Sequence, residues 1–293
     1  MLALLLTPAA PAHAGLCDDA PLEILLTNDD GIAAPGLAAL RDRLREQGHR
    51  VTVAAPDHNA SGSSTGVTWR NVRVTRDATD PRSFAITGTP ATAVVLAATA
   101  LYPAGTRPDL VISGINNGDN AGTLLAISGT VGAALAGTIL VDPPMPGVAV
   151  NAPRLVPGEP VDSPANLAHL ARAADYFVRF VEASRDWFCE GGQVVRTRSV
   201  LNVNYPALPP ERVRGTRVTR QGRATDLRVQ YVDAGNGEYS ARTETLETAD
   251  GDPSSDLARL REGYVTVTPV AAALDDESAP RRALTRRVRR LGP

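Results

Sequence analysis

Four runs of strand length are apolar almost throughout: EILLTN at 23–28, RVTVAAP at 50–56, DLVISGIN at 109–116 and the later GVAVNA. A strand without polar alternation has to be covered on both faces, which a one-sided antiparallel sheet does not do. Helical patterns lie between these runs. Leu37, Leu40 and Leu44 recur at i, i+3 and i+7 before Gly48, and Pro90 opens PATAVVLAATAL. ISGTVGAALAGTIL is rich in small residues that allow close packing, and 164–184 sets Leu167, Leu170, Ala174 and Phe177 on one face. The alternation predicts an α/β fold with a doubly wound parallel sheet and crossover helices.

After Arg198 the texture changes. VLNVNYP, TRVTRQGR, LRVQYVD, EYSARTETLE and EGYVTVTPV alternate polar with apolar residues and are separated by turns such as Gly235-Asn236-Gly237. They predict antiparallel pairing in a β-hairpin-rich C-terminal extension. Residues 22–198 are therefore expected to form the core and 199–293 the hairpin-rich extension with a tail. The six arginines between Arg281 and Arg290 read as a solvated helix face or as a contact with an acidic neighbouring subunit.

The first fourteen residues, MLALLLTPAAPAHA, form an apolar stretch ending in Ala12-His13-Ala14, the small-x-small pattern of a signal-peptidase site. They predict export to the periplasm or medium, with a cytoplasmic protein as the alternative. Leu16 before Cys17 argues against a lipoprotein. Cys17 and Cys189 either pair in an oxidising compartment or stand as two separate thiols, and both readings stay open. No run approaches the ~18 apolar residues of a membrane span. A formal net charge of −2 gives no general attraction to nucleic acid.

Open α/β sheets bind ligands beyond the carboxyl ends of their strands. Here those ends carry Asn28-Asp29-Asp30-Gly31, the loop from Asp57 to Ser64, and Ser113-Gly114-Ile115-Asn116-Asn117. Two adjacent carboxylates with hydroxyl and amide oxygens make a hard donor set suited to magnesium or manganese, and no histidine cluster or CxxC pair points to zinc. The plainer reading, a turn that caps the next helix, explains one aspartate. Ser128, Gly129 and Thr130 open a helix, where free N–H groups favour a phosphate; an ordinary N-cap is the alternative. Metal and phosphate cradle together describe metal-assisted phosphoryl chemistry. His58 reads as an exposed loop histidine, or as a general acid or phosphate contact; His49 and His169 read as helix-end and helix-face residues.

LLTNDDGIAAPGLAAL, VAAPDHNASGSSTGVT, TGTPATAV, PDLVISGINNGDNAG, SGTVGAALAG, LNVNYP, TRQGR and REGYVTVTPV occur in this order from about residue 23 to 270. On these stretches the chain resembles the SurE survival-protein family of metal-dependent nucleoside monophosphate phosphatases. The resemblance implies a Rossmann-like core and a 5′-nucleotidase activity in which Asp29 and Asp30 are catalytic. It implies that Asp29, Asp30, Ser61 and Asn116 hold a divalent metal and that Asn120, Ser128, Gly129 and Thr130 border the phosphate. It also implies a C-terminal hairpin exchanged within a homodimer or homotetramer. Asp119, Thr123-Leu124 and Ile127 depart from the family pattern, which leaves base preference open. A broader phosphatase or exopolyphosphatase on the same fold, 3′-monophosphates as substrates, and a nucleotide-binding protein without catalysis remain as alternatives. A haloacid-dehalogenase-like enzyme would need aspartates two apart after the first strand, and a dinucleotide-binding dehydrogenase would need the absent G-x-G-x-x-G.

Overall fold

The computed structural model describes residues 14–195, 198–246 and 248–271. The expected leader, apart from its last residue, and the terminal arginine run lie outside the described residues. After a 3-10 turn at Ala14–Cys17 the elements are β1 (Glu23–Thr27), α1 (Pro35–Glu46), β2 (Arg50–Pro56), β3 (Val74–Arg76), β4 (Ser83–Ile86), α2 (Pro90–Leu96) and β5 (Leu110–Asn116). They continue with α3 (Gly129–Ile139), β6 (Gly147–Asn151), α4 (Pro164–Phe188), β7 (Cys189–Glu190), β8 (Gln193–Val194), β9 (Ser199–Asn204) and β10 (Thr216–Val218). The last are β11 (Leu227–Gly235), β12 (Glu238–Thr245), α5 (Asp256–Arg261) and β13 (Val265–Ala271).

One sheet takes the order β10-β13-β9-β6-β5-β1-β2-β4-β3. Its centre is parallel, with Leu25 of β1 opposite Thr52 of β2 on one side and Val111 of β5 on the other. Successive residues of β1 serve different cores. Ile24 and Leu26 pack with Leu37, Leu40, Leu44 and Phe177 from α1 and α4, whereas Leu25 packs with Val94, Ala133 and Ala136 from α2 and α3. Each such side chain contributes about 1.5–3 kcal/mol on burial. This two-sided cover is why the central strands lack polar alternation. The doubly wound α/β architecture is the one expected.

The boundary expected at Arg198 falls inside the sheet. β9 pairs parallel with β6, and β10 pairs parallel with β13; only β13 with β9 and the separate hairpin β11–β12 are antiparallel as expected. The misleading signal in VLNVN is its asparagines. Asn202 and Asn204 are buried, not solvated, because their amides bond within the protein. Of the alternating stretch VTWRNVRVT, only Val74 onward enters a strand, the short edge strand β3. On α4, Leu167 is exposed while Leu170, Ala174 and Phe177 are buried.

Cys17 and Cys189 form a disulfide with Cα atoms 5.7 Å apart. It fastens the N-terminal turn beside the end of α4. Leu16 is buried there, and Arg185 Nη1 donates to the carbonyls of Gly15, Asp18 and Ala20 at 3.2, 2.7 and 2.8 Å.

Candidate active site

β5, β1 and β2 are neighbours in the sheet, so the three polar strand ends meet at its carboxyl edge. Asn28 is fully buried, and its Nδ2 donates to the Gly31 carbonyl at 3.0 Å, closing the turn that presents Asp29 and Asp30. Gly31 has φ +103°, and a Cβ there would crowd the His58 backbone. The Ala60 N–H donates to the Asp29 carbonyl at 2.7 Å, which brings Ser61 alongside. The Asn117 N–H donates to Asp30 Oδ2 at 2.7 Å, which brings in Asn116. The Asn116 Nδ2 donates to the Gly118 carbonyl, so its amide oxygen is left as an acceptor. The structure thus gathers Asp29, Asp30, Ser61 and Asn116 at one place.

The residues expected to border a phosphate are nearby, but their polar groups are already engaged. Ser128 Oγ accepts from the Val131 N–H as an N-cap, the plainer of its two sequence readings. Thr130 is fully buried; its hydroxyl donates to Asp29 Oδ1 at 2.7 Å and its N–H to Oδ2 at 3.1 Å. The anion at the N-terminus of α3 is therefore the chain's own Asp29. Helix N–H groups satisfy it as they would a phosphate.

Burial raises the Asp29 carboxyl above its ordinary range, while the Thr130 hydroxyl and the N–H groups of Thr130 and Gly129 pull it down. Asp30 is pushed up to about 6 by burial, with the Asn117 N–H opposing and the neighbouring Asp29 charge adding to the rise. Two carboxylates driven upward by lost hydration are short of positive charge, which a divalent cation would supply. Among the described residues no group of three or more His, Cys, Asp or Glu lies in metal-holding geometry. The donor set is two carboxylates completed by neutral oxygens, which fits a hard cation.

Three asparagines, Asn151, Asn202 and Asn204, fix the loop that carries Asn120. Its N–H donates to Asn204 Oδ1, its Nδ2 to Asn151 Oδ1, and its carbonyl accepts from the Nδ2 groups of Asn202 and Asn204, all within 2.7–3.1 Å. Sequence reasoning missed Asn151, Asn202 and Asn204, although their place at the ends of VAVN and VLNVN was the available signal. It also missed Ser63, whose buried hydroxyl has no partner and lies beside Gly129. His58 is exposed and pairs with Asp57 at 2.7 Å, the plainer of its readings. A cavity of about 200 Å³ adjoins Asp30, walled by Ala34, Pro35, Ile115, Val161 and Leu170.

Fold and site define a doubly wound α/β protein that presents paired carboxylates and neutral oxygens at the sheet's carboxyl edge, against the N-terminus of a small-residue helix. The family model described as "Survival protein SurE" matches residues 24–227. The chain belongs to the SurE family. A 5′-nucleotidase SurE of Symbiobacterium thermophilum is 39% identical over 255 residues, covering 84% of this chain and 91% of the relative. Its counterpart in Gloeobacter violaceus is 37% identical over 257 residues, covering 85% and 89%. The crystal structure of the SurE protein from Aquifex aeolicus superposes with a TM-score of 0.69 at 30% identity, covering 90% of this chain and 99% of that one.

Proposed function

We propose that the protein is a metal-dependent phosphatase that hydrolyses nucleoside 5′-monophosphates to nucleoside and phosphate. The observation that carries this reading is the pair of buried Asp29 and half-buried Asp30, held between the N–H groups of α3 and the Asn117 loop and flanked by Ser61 and Asn116. Asp29, Asp30, Ser61 and Asn116 would hold magnesium or manganese. When bound, such an ion polarises a phosphoryl oxygen and activates water for attack. Thr130 and Gly129 aim the Asp29 carboxylate and oppose the rise in its pKa that burial causes, and a cation beside Asp30 would favour its ionised form. The N-terminus of α3 favours negative charge beside them. The apolar wall next to Asp30 leaves room for the nucleoside. The names of the curated relatives support the same activity.

Phosphate release from a panel of 5′- and 3′-monophosphates, with EDTA and with added magnesium or manganese, tests the reading. Release should require the metal, and Asp29→Asn or Asp30→Asn should lower it by orders of magnitude. Full turnover by either variant, or by EDTA-treated protein, would overturn it.

Export with cleavage after Ala14 is part of the proposal. The Cys17–Cys189 bond supports it, since such bonds persist in oxidising compartments. N-terminal sequencing of protein from the native host should find Gly15 first; an intact Met1 in the cytoplasm would exclude export. Assembly with further copies of the chain is also proposed, and its support is the uncovered hairpin discussed below. No helix of the described residues is long and apolar enough to cross a membrane.

A further inference from the structure

The loop 117–128 carries Asn120 at one end and Ser128 at the other, and its middle is gripped by residues from the far C-terminal part of the chain. The Gly122 N–H donates to Asp256 Oδ1 at 3.0 Å, and the Gly122 carbonyl accepts from Gln221 Nε2 at 3.0 Å. The next N–H, of Thr123, donates to the Ala224 carbonyl at 3.1 Å. Gly122 has φ +58°, and a Cβ would meet that carbonyl oxygen at 2.4 Å, so the approach is closed to any larger residue.

Asp256 is fully buried and ties the same grip together. Its Oδ1 also accepts from the N–H groups of Gly222 at 2.8 Å and Leu257 at 2.7 Å, and its own N–H donates to the Arg220 carbonyl. Its Oδ2 has no partner. One carboxylate oxygen thus joins the active-site loop, the TRQGR turn and the first turn of α5. Three convergent N–H donors are a strong anchor for a charged acceptor in a dry setting.

We propose that Asp256 and Gln221 are positioning residues: by holding both sides of Gly122 they fix where Asn120 and the start of α3 stand relative to the Asp29–Asp30 pair. The inference rests on the monophosphatase reading of that site. A displacement of about 1 Å at such a distance from the chemistry lowers rates by up to ~100-fold. Release of the grip at Gly122 should therefore act on turnover more than on the metal, because Asp29, Asp30, Ser61 and Asn116 stand outside 117–128, at the ends of β1 and β5 and in the loop after β2.

Gln221→Leu removes only the donor to the Gly122 carbonyl, from a side chain near the surface. Asp256→Asn keeps an acceptor oxygen and removes the charge. Hydrogen exchange of the full-length protein, without metal or substrate, reads the loop directly. Peptides covering 117–128 should exchange at least tenfold faster in both variants, with β1 and β5 unchanged. With adenosine 5′-monophosphate and manganese, kcat should fall at least tenfold while KM and the manganese concentration for half-activation stay within threefold. Unchanged loop exchange in Gln221→Leu would overturn the grip, and faster exchange with unaltered kcat would overturn the positioning role. A wild type that releases no phosphate with any divalent metal would overturn the functional reading, and the exchange result would still decide the grip. Should Asp256→Asn fail to fold, Gln221→Leu carries both measurements.

Discussion

Thr130 gives both of its donors to Asp29, so in the proposed reaction it would act through the carboxylate and not through a phosphate contact of its own hydroxyl. Thr130→Val should lower kcat about 10- to 100-fold, by the same factor for purine and pyrimidine monophosphates, and Thr130→Ser should restore most of it. A loss confined to one base, or full activity in the valine variant, would refute this. His169 is a second residue whose setting has a measurable consequence. It is fully buried against Tyr205, with ring centroids 5.5 Å apart, and burial lowers its pKa to about 4; the Pro153 carbonyl pulls the other way without closing a well-formed hydrogen bond. A histidine held below its ordinary value of about 6.5 binds fewer protons folded than unfolded. Stability is therefore lost as pH falls from 6.5 towards 4, at up to ~1.4 kcal/mol per unit. His169→Phe keeps a ring against Tyr205 and should lose less stability than wild type between pH 6.5 and 4.5, measured by urea unfolding. Parallel pH profiles would show that His169 contributes nothing to the acid sensitivity.

At the scale of elements, α3 explains why some of the site was legible in the sequence and the rest was not. Its glycines and alanines were readable as close packing, and Ala133 and Ala136 do pack on the sheet. What Gly132 faces was not readable, because it is set by a loop some seventy residues earlier. A Cβ on Gly132 would stand 2.1 Å from the Ser64 carbonyl oxygen, while the Ser64 N–H donates to the Ile127 carbonyl and its hydroxyl to the Ala126 carbonyl. The helix start and the serine loop are thus one packed unit, and Ser64 takes φ +49° within it. Asp29 and Asp30 could be singled out in the sequence because carboxylates at strand ends need a local reason. The asparagine lattice and the Asp256 grip could not, since each partner alone looks like an ordinary strand or turn residue. Gly132→Ala meets backbone atoms that cannot rotate away, so it should destabilise the protein by about 1–3 kcal/mol, as overpacking does. It should also reduce turnover by prying Ser61 from Asp29. A variant with wild-type melting temperature and activity would show that the loop yields freely.

For the whole molecule, the alternating segments after Arg198 concealed two different fates. β9, β10 and β13 extend the main sheet, whereas β11 and β12 pair only with each other and are exposed along almost their whole length. Their register sets Val229 opposite Thr243, Tyr231 opposite Ala241 and Asp233 opposite Tyr239. Directly paired residues share a face, so Val229, Tyr231, Tyr239 and Ala241 lie together on one mainly apolar face, with Thr243 and Asp233 at its ends, while Arg228, Gln230, Val232, Arg242 and Glu244 lie on the other. A lone two-stranded hairpin is marginal in water, and an amphipathic one gains stability only when its apolar face is covered. Nothing else in the described chain covers it; Tyr231 is 72% exposed and Tyr239 64%. In the proposed assembly a second copy of the chain would supply a self-complementary cover, as symmetric association does in homo-oligomers. Tyr231→Asp places a charge in the middle of that face and touches neither the Asp29–Asp30 site nor the main sheet. Light scattering should show wild-type protein as a dimer or larger and the variant shifted towards monomer, with the same melting behaviour for the α/β core. A wild type that is monomeric at high concentration, or a variant with undiminished assembly, would show that the hairpin is covered in some other way.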